Sequence, residues 1–204
     1  AEAEALAVAR DIALAEMTGA RLHFRQVTTR AALNLVRAAR ARGLAISAGV
    51  TPAHFMLSDV AIGDFRPFTR LSPPLRSEAD RQAVLAALSD GTITVIASGH
   101  DPRGPEDKRL PFADAEPGMA GAETLLALTL GLVRDGVIDL ARAFALLAAN
   151  PAQLLGVKAG RLEPGAAADL AVIDPEKPWI VDSDRMAAAA GAQRPFSRNV
   201  MWAD

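Results

Sequence analysis

Val95-Ile96-Ala97-Ser98-Gly99-His100-Asp101-Pro102-Arg103 starts as a short β-branched apolar run and breaks abruptly into Gly, His, Asp, Pro and Arg. A buried parallel strand has this appearance when it delivers polar groups to a site at its carboxyl end. Asp90-Gly91 supplies the turn into this strand, expected over residues 92–97, and the polar residues beyond it continue as a long loop to Gly121. The residues before the strand read as strand–helix units. Those after the loop read as helices and a small β annex.

Upstream, residues 2–18 have Leu6, Ala9, Ile12, Ala13 and Glu16 at helical spacing, with Gly19 as the stop signal. Residues 21–27 alternate as a strand: Leu22, Phe24 and Gln26 share one face, and His23, Arg25 and Val27 the other. Thr28-Thr29 is suited to cap a helix over residues 30–42, which Gly43 closes. A second buried strand is expected over residues 44–50, ended by Thr51-Pro52, followed by an irregular stretch to residue 72 with one helical turn near 55–60. Ser77-Glu78-Ala79-Asp80 resembles a capping box and opens a helix to Leu88. This order of elements is that of parallel α/β units.

Downstream, helices are expected over 122–134 and 139–149, joined by Asp135-Gly136. Asn150-Pro151 should end the second, with a short helix over 152–155 after it. Residues 168–174 and 179–181 read as annex strands, 187–191 as a mobile low-complexity stretch, and 201–204 as an exposed apolar tail.

The 204 residues, half of them apolar, suffice for a sizeable core, and the formal net charge of −2 gives no reason to expect nucleic acid or an anionic membrane as partner. There is no cysteine, which excludes disulfide staples and thiolate metal sites. No apolar run approaches the roughly 18 residues of a membrane span. With no basic and apolar leader at Ala1-Glu2-Ala3-Glu4, the expectation is a cytoplasmic protein. The missing initiator Met and the apolar end suggest a piece of a longer polypeptide.

Several segments together resemble the C-terminal half of the dihydroorotases, cyclic-amide hydrolases of the amidohydrolase superfamily. They are Val27-Thr28-Thr29, Thr51-Pro52-Ala53-His54, Ser72-Pro73-Pro74-Leu75-Arg76, Ser98-Gly99-His100, Lys108-Arg109-Leu110-Pro111-Phe112 and Gly121-Ala122-Glu123-Thr124. Ala149-Asn150-Pro151-Ala152 and Gly160-Arg161-Leu162-Glu163-Pro164-Gly165 with Ala168-Asp169-Leu170 match the family's end. The resemblance implies an α/β fold: the C-terminal part of a TIM-like (β/α)8 barrel, strands six to eight and their helices over residues 1–155, and a β annex with the tail over 156–204. Half a barrel leaves an open sheet edge, so further sequence or a partner is expected to cover it.

The resemblance also implies a reaction in de novo pyrimidine biosynthesis. One or two zinc ions generate a hydroxide that opens the cyclic amide of dihydroorotate, and in reverse carbamoyl-aspartate is cyclised. Three ligand sets fall on strands outside this chain: a His-x-His pair on strand one, a carboxylate or carbamylated lysine on strand four and a His on strand five. From the half represented here the family takes a His on strand six and an Asp at the end of strand eight. Gln26 occupies the His position and Gly99 the Asp position. An amide oxygen is a poor zinc ligand beside imidazole, and glycine offers nothing to a metal or a proton. Asp101 is the rescue candidate, provided the loop re-routes through Gly99, although a shift of two residues moves a carboxylate several ångström where zinc ligation tolerates a few tenths.

For substrate binding the resemblance points to Arg103, where the family has a carboxylate-holding His, to Ser72, where it has an Asn on the pyrimidine ring, and to His100. Each also has a structural reading. Arg103 could equally pair with Glu106 or Asp107, Ser72 is short for a ring contact, and His100-Asp101 can be a solvated loop pair. His54 reads as a hydrogen-bonded turn residue, His23 as a structural histidine on a strand, and Arg25 as solvated or ion-paired. Pro117-Gly118 offers backbone to a ring or is simply a turn. The resemblance thus implies zinc for the family though not for this chain, dihydroorotate or carbamoyl-aspartate as ligand if the protein is active, and further copies of the same chain as partners; this chain alone is expected to be inactive. A second class of function is a non-catalytic homologue that serves as a structural partner of aspartate carbamoyltransferase.

Overall fold

A computed structural model describes residues 1–182, 185–187 and 200–203. Helix α1 (Glu2–Thr18) is apolar on more than one side; it buries Val8, Ile12 and Ala15 and ends at Gly19, whose φ of 69° is the left-handed conformation that glycine adopts without cost. Strand β1 (Leu22–Phe24), helix α2 (Arg30–Ala41) and strand β2 (Ile46–Val50) follow, then α3 (Pro52–Met56), α4 (Glu78–Ser89) and β3 (Val95–Ile96). The three strands form one parallel sheet in the order β1-β2-β3, with Leu22 opposite Ile46, Phe24 opposite Ala48, and Gly49 opposite Val95. The helices cover the sheet around Val27, Leu33, Val36, Val50, Phe55, Val84, Leu88, Ile93 and Leu146, all essentially without solvent exposure.

Two of the strands are shorter than the alternation suggests. β1 stops at Phe24, and the ladder resumes only where the Val27 N–H donates to the Gly49 carbonyl (3.0 Å). In between, the Arg25 carbonyl lies 2.8 Å from where a β-carbon on Gly49 would sit, so the bend exists because residue 49 has no side chain. β3 is flanked by hydrogen bonds from Thr94 N to Ala48 O (2.8 Å) and from Ala97 N to Val50 O (3.0 Å), which continue its alignment on β2 at both ends.

A short helix, α5 (Pro105–Lys108), lies in the loop after β3, and α6 (Leu125–Arg134) is buried along most of its length. α6 begins three residues later than expected, because 121–124 form a turn drawn onto His100. The expected stop at Asn150-Pro151 is corrected: α7 (Leu140–Phe144), a π-helical segment (Ala145–Ala149) and α8 (Asn150–Leu155) run on without a break. The wider π turn just before Pro151 takes up the missing N–H and the ring's bulk, which a regular α-helix accommodates poorly. Asn150 Nδ2 then donates to the Thr94 carbonyl (2.9 Å), fastening this helical run to β3.

The annex also differs from expectation. Residues 168–174 form no strand, and Val172 is 99% exposed; an apolar alternation without a partner ladder does not become a strand. The segment expected as a strand at 179–181 is β4 (Lys177–Ile180), and the expected loose tail is β5 (Val200–Ala203), paired antiparallel with β4. Of the low-complexity stretch 187–191, residues 188–191 lie outside the described residues, as does Asp204. Among the described residues no helix is long and apolar enough to cross a membrane.

Candidate functional site

The carboxyl ends of β1, β2 and β3 lie side by side, and the polar residues singled out in the sequence project from the segments that follow them. The end of β1 is held from behind by a carboxylate. Glu4 Oε1 accepts the backbone N–H groups of Thr28 (2.8 Å) and Thr29 (2.9 Å) and the Thr29 hydroxyl (3.0 Å), and its Oε2 accepts from Thr28 Oγ1 (2.5 Å) and Arg76 (3.0 Å). Burial pushes the Glu4 carboxyl up, but the hydrogen bonds from Thr28, Thr29 and Arg76 outweigh it and hold the group below its ordinary 4.5. Gln26, half-buried, directly precedes this anchored turn.

The end of β2 carries Thr51 and His54, both buried. His54 Nε2 donates to the Pro73 carbonyl (3.0 Å), which leaves Nδ1 to accept the Thr51 hydroxyl proton (2.8 Å). Burial, the largest influence, lowers the His54 pKa and keeps the ring neutral. Both ring nitrogens are thus engaged within the protein. On β1, His23 Nδ1 meets Ser47 Oγ at 2.8 Å, and burial lowers its pKa as well.

The end of β3 is the most constrained. Gly99 has φ 60°, and a β-carbon built on it would lie 2.7 Å from Thr51 Cγ2 and 3.1 Å from Thr51 Cβ. Residues 118–121 pass over the same point so closely that a β-carbon on Gly121 would overlap the Ser98 carbonyl. His100 Nδ1 accepts the N–H groups of Gly121 (3.3 Å) and Ala122 (3.2 Å), so a neutral His100 carries its proton on Nε2. Asp101 is turned to Arg103: its Oδ2 accepts from the guanidinium at 2.7 Å, while Arg103 Nε donates to the Pro117 carbonyl (2.9 Å). The partner of Arg103 is therefore Asp101, and neither Glu106 nor Asp107; Asp107 instead accepts from the Gly104 N–H (3.1 Å). Ser72 is exposed on the neighbouring loop.

The loop after β3 is closed onto the segment around Pro67 and Arg70 by a buried lysine to which pattern reading gave no such role. Lys108 Nζ donates to the carbonyls of Pro67 (3.2 Å) and Arg70 (3.1 Å) with no solvent exposure, and burial followed by the nearby Arg103 and Arg70 lowers its pKa to about 8. Arg70 in turn donates to the carbonyls of Phe112, Ala113 and Ala115, and Phe65 meets Phe112 edge-on at 5.9 Å. The roles of Glu4, Arg76 and Lys108 escaped the sequence reading because their partners lie far along the chain. For Glu4 and Arg76 the one available signal was a long charged side chain inside an otherwise apolar or Pro-rich run.

Residues 3–202 match the amidohydrolase family. The chain belongs to that family. The dihydroorotase of Syntrophus aciditrophicus is 42% identical over 194 residues, which cover 95% of this chain and 45% of the relative. That of Pelotomaculum thermopropionicum is 44% identical over 197 residues, covering 96% and 46%. An L-hydantoinase (dihydropyrimidinase) structure from Arthrobacter aurescens superimposes with a TM-score of 0.89 at 25% identity, covering 97% of this chain and 45% of its own. A dihydropyrimidinase structure from Brevibacillus agri gives the same TM-score at 24% identity, covering 98% and 46%. This amidohydrolase chain spans about half the length of the curated relatives it matches, and its α/β fold is part of their TIM-like barrel.

The donors at these strand ends do not by themselves make up a zinc centre. Among the described residues no group of three or more His, Asp or Glu side chains converges as metal ligands do. His54 uses both ring nitrogens, Asp101 is neutralised by Arg103, and the strand end at Gly99 carries no side chain.

Proposed function

We propose that this chain is part of a dihydroorotase-type protein of de novo pyrimidine biosynthesis in which two metal-binding strand ends have lost their donors. The observation that carries the reading is the pairing of Gln26 and Gly99 at two strand ends, in a chain whose curated relatives are dihydroorotases. The relatives' activity is the reversible hydrolysis of the dihydroorotate ring to carbamoyl-aspartate. Zinc would supply the attacking hydroxide in that chemistry, and this chain's contribution of one imidazole and one carboxylate is missing. In this reading Asp101 does not replace the carboxylate, since its Oδ2 is turned to Arg103.

In this reading residues 1–155 are the barrel part and 156–204 the annex with its tail. Arg103 and His100 remain as a surface for an anionic substrate. Two of the five N–H groups of Arg103 are taken by Asp101 and Pro117, and the others are left for a carboxylate. Ser72 is exposed as well.

A second reading is favoured by what is retained. The Glu4–Thr28–Arg76 and Thr51–His54–Pro73 networks keep the strand ends rigid without a metal, as suits a scaffold that assembles with aspartate carbamoyltransferase and performs no chemistry of its own. Assembly requires surface and core, and both survive the loss of ligands. The deciding experiment measures zinc content and carbamoyl-aspartate cyclisation on the full-length protein, together with co-purification of the carbamoyltransferase chain. Low zinc, no turnover and a stable complex are expected. Zinc-dependent turnover in the full-length protein would overturn the non-catalytic reading.

A further inference from the structure

From the geometry around Gly99 we infer that the carboxylate place at the end of β3 is closed as well as vacant, and that Thr51 is the residue that closes it. The inference rests on the non-catalytic reading above and extends it to a position that reading does not use. Three observations meet here. Gly99 adopts φ 60°, a conformation in which most side chains are strained. A β-carbon there would sit 2.7 Å from Thr51 Cγ2, closer than real β-carbons approach a neighbour. Thr51 cannot turn its methyl aside freely, because its hydroxyl donates to His54, and His54 donates in turn to the Pro73 carbonyl, with both side chains buried.

The backbone that carries Gly99 is held as well. The Asp101 N–H donates to the Met119 carbonyl (2.8 Å), and the backbone at Gly121 passes against the Ser98 carbonyl, so residues 98–101 have little room to retreat from Thr51. The strand end is a packed turn built for glycine. A carboxylate returned at position 99 therefore meets the Thr51 methyl group before it meets any metal. Returning both ligand types at 26 and 99 does not by itself rebuild the centre; position 51 must change with them.

Thr51→Ser separates the alternatives. It removes the 2.7 Å neighbour and leaves the hydroxyl that holds His54. In the full-length protein, zinc bound per chain after equilibration with zinc alone, and the melting temperature, are compared for the parent, Gln26→His/Gly99→Asp, and the same pair with Thr51→Ser. The double variant is expected to melt several degrees lower and to hold no more zinc than the parent; adding Thr51→Ser is expected to recover most of the melting temperature and to raise bound zinc. A double variant that gains zinc as fully as the triple variant would overturn the inference.

If the double variant does not fold, Gly99→Ala decides the matter, introduced once into the parent and once into the Thr51→Ser protein. A clearly smaller melting-temperature loss in the Thr51→Ser background supports the closure, and equal losses overturn it. A parent protein that already binds zinc and cyclises carbamoyl-aspartate defeats the non-catalytic reading, while the alanine comparison still decides whether Thr51 closes position 99.

Discussion

Glu4 and Arg76 meet at 3.0 Å across the back of the β1 end, with side-chain exposures of only 12% and 17%. The pair is part of the network that also holds the N–H groups of Thr28 and Thr29. Removing the carboxylate leaves a guanidinium and two amides without their acceptor in a poorly solvated place. Glu4→Ala is expected to destabilise the protein by about 3 kcal/mol, read from urea unfolding. Glu4→Gln, which still offers an acceptor oxygen, is expected to lose less.

The same carboxylate gives a pH dependence. The Glu4 pKa is lowered in the folded state, so its contribution is fully present above the ordinary 4.5 and is lost as pH falls through the folded value. Urea midpoints measured from pH 6 to pH 3 are expected to fall more steeply for the parent than for Glu4→Gln.

Lys108 has the same sign of slope, in an alkaline window. Its pKa is lowered from 10.5 to about 8 in the folded protein, so the unfolded chain holds the proton more tightly over that interval. The penalty of a buried ammonium is fully present below about pH 8 and disappears as pH rises toward 10.5. Lys108→Met is expected to flatten the rise in stability between pH 8 and pH 10. At pH 7 it is expected to cost about 1–3 kcal/mol, since the Pro67 and Arg70 carbonyls lose their donor. Thermal melts of the two proteins across this range check both outcomes.

His54 adds a third titration. It is buried and neutral with a lowered pKa, so its contribution is present above the ordinary 6.5 and is lost as pH falls below it. The melting temperature of the parent is expected to drop between pH 7.5 and pH 5.5. His54→Gln is expected to show a smaller drop from a lower starting point.

Asp101 and Arg103 form a partly exposed ion pair, of a kind worth about 0.2–1 kcal/mol. Asp101→Asn is therefore expected to leave stability within about 1 kcal/mol of the parent and zinc content of the full-length protein unchanged. A fall in bound zinc would restore Asp101 as a ligand.

Much of the architecture could be read from residue order. The alternation of apolar runs with Gly19, Gly43 and Asp90-Gly91 gave three parallel strand–helix units, and the break after Ile96 located the site at the strand ends. Where pattern reading failed, a contact or a turn that apolar alternation does not register had intervened. β1 stopped early because the Arg25 carbonyl leans over Gly49, and Pro151 sat within a helix because a π turn precedes it. Residues 168–174 stayed irregular although their alternation is that of a strand.

What the sequence by itself determined was the inventory at the strand ends: a Gln at 26, no side chain at 99, an Asp at 101. Residue identity is enough to say which donors exist. Only the tertiary structure decided where they point and what room they have. It paired Asp101 with Arg103, spent both nitrogens of His54 on Thr51 and Pro73, and set the Thr51 methyl against Gly99. The last is a contact between residues 48 positions apart, which no local pattern encodes. A glycine in the sequence reads as an absent carboxylate; its φ and its neighbours show a place already filled.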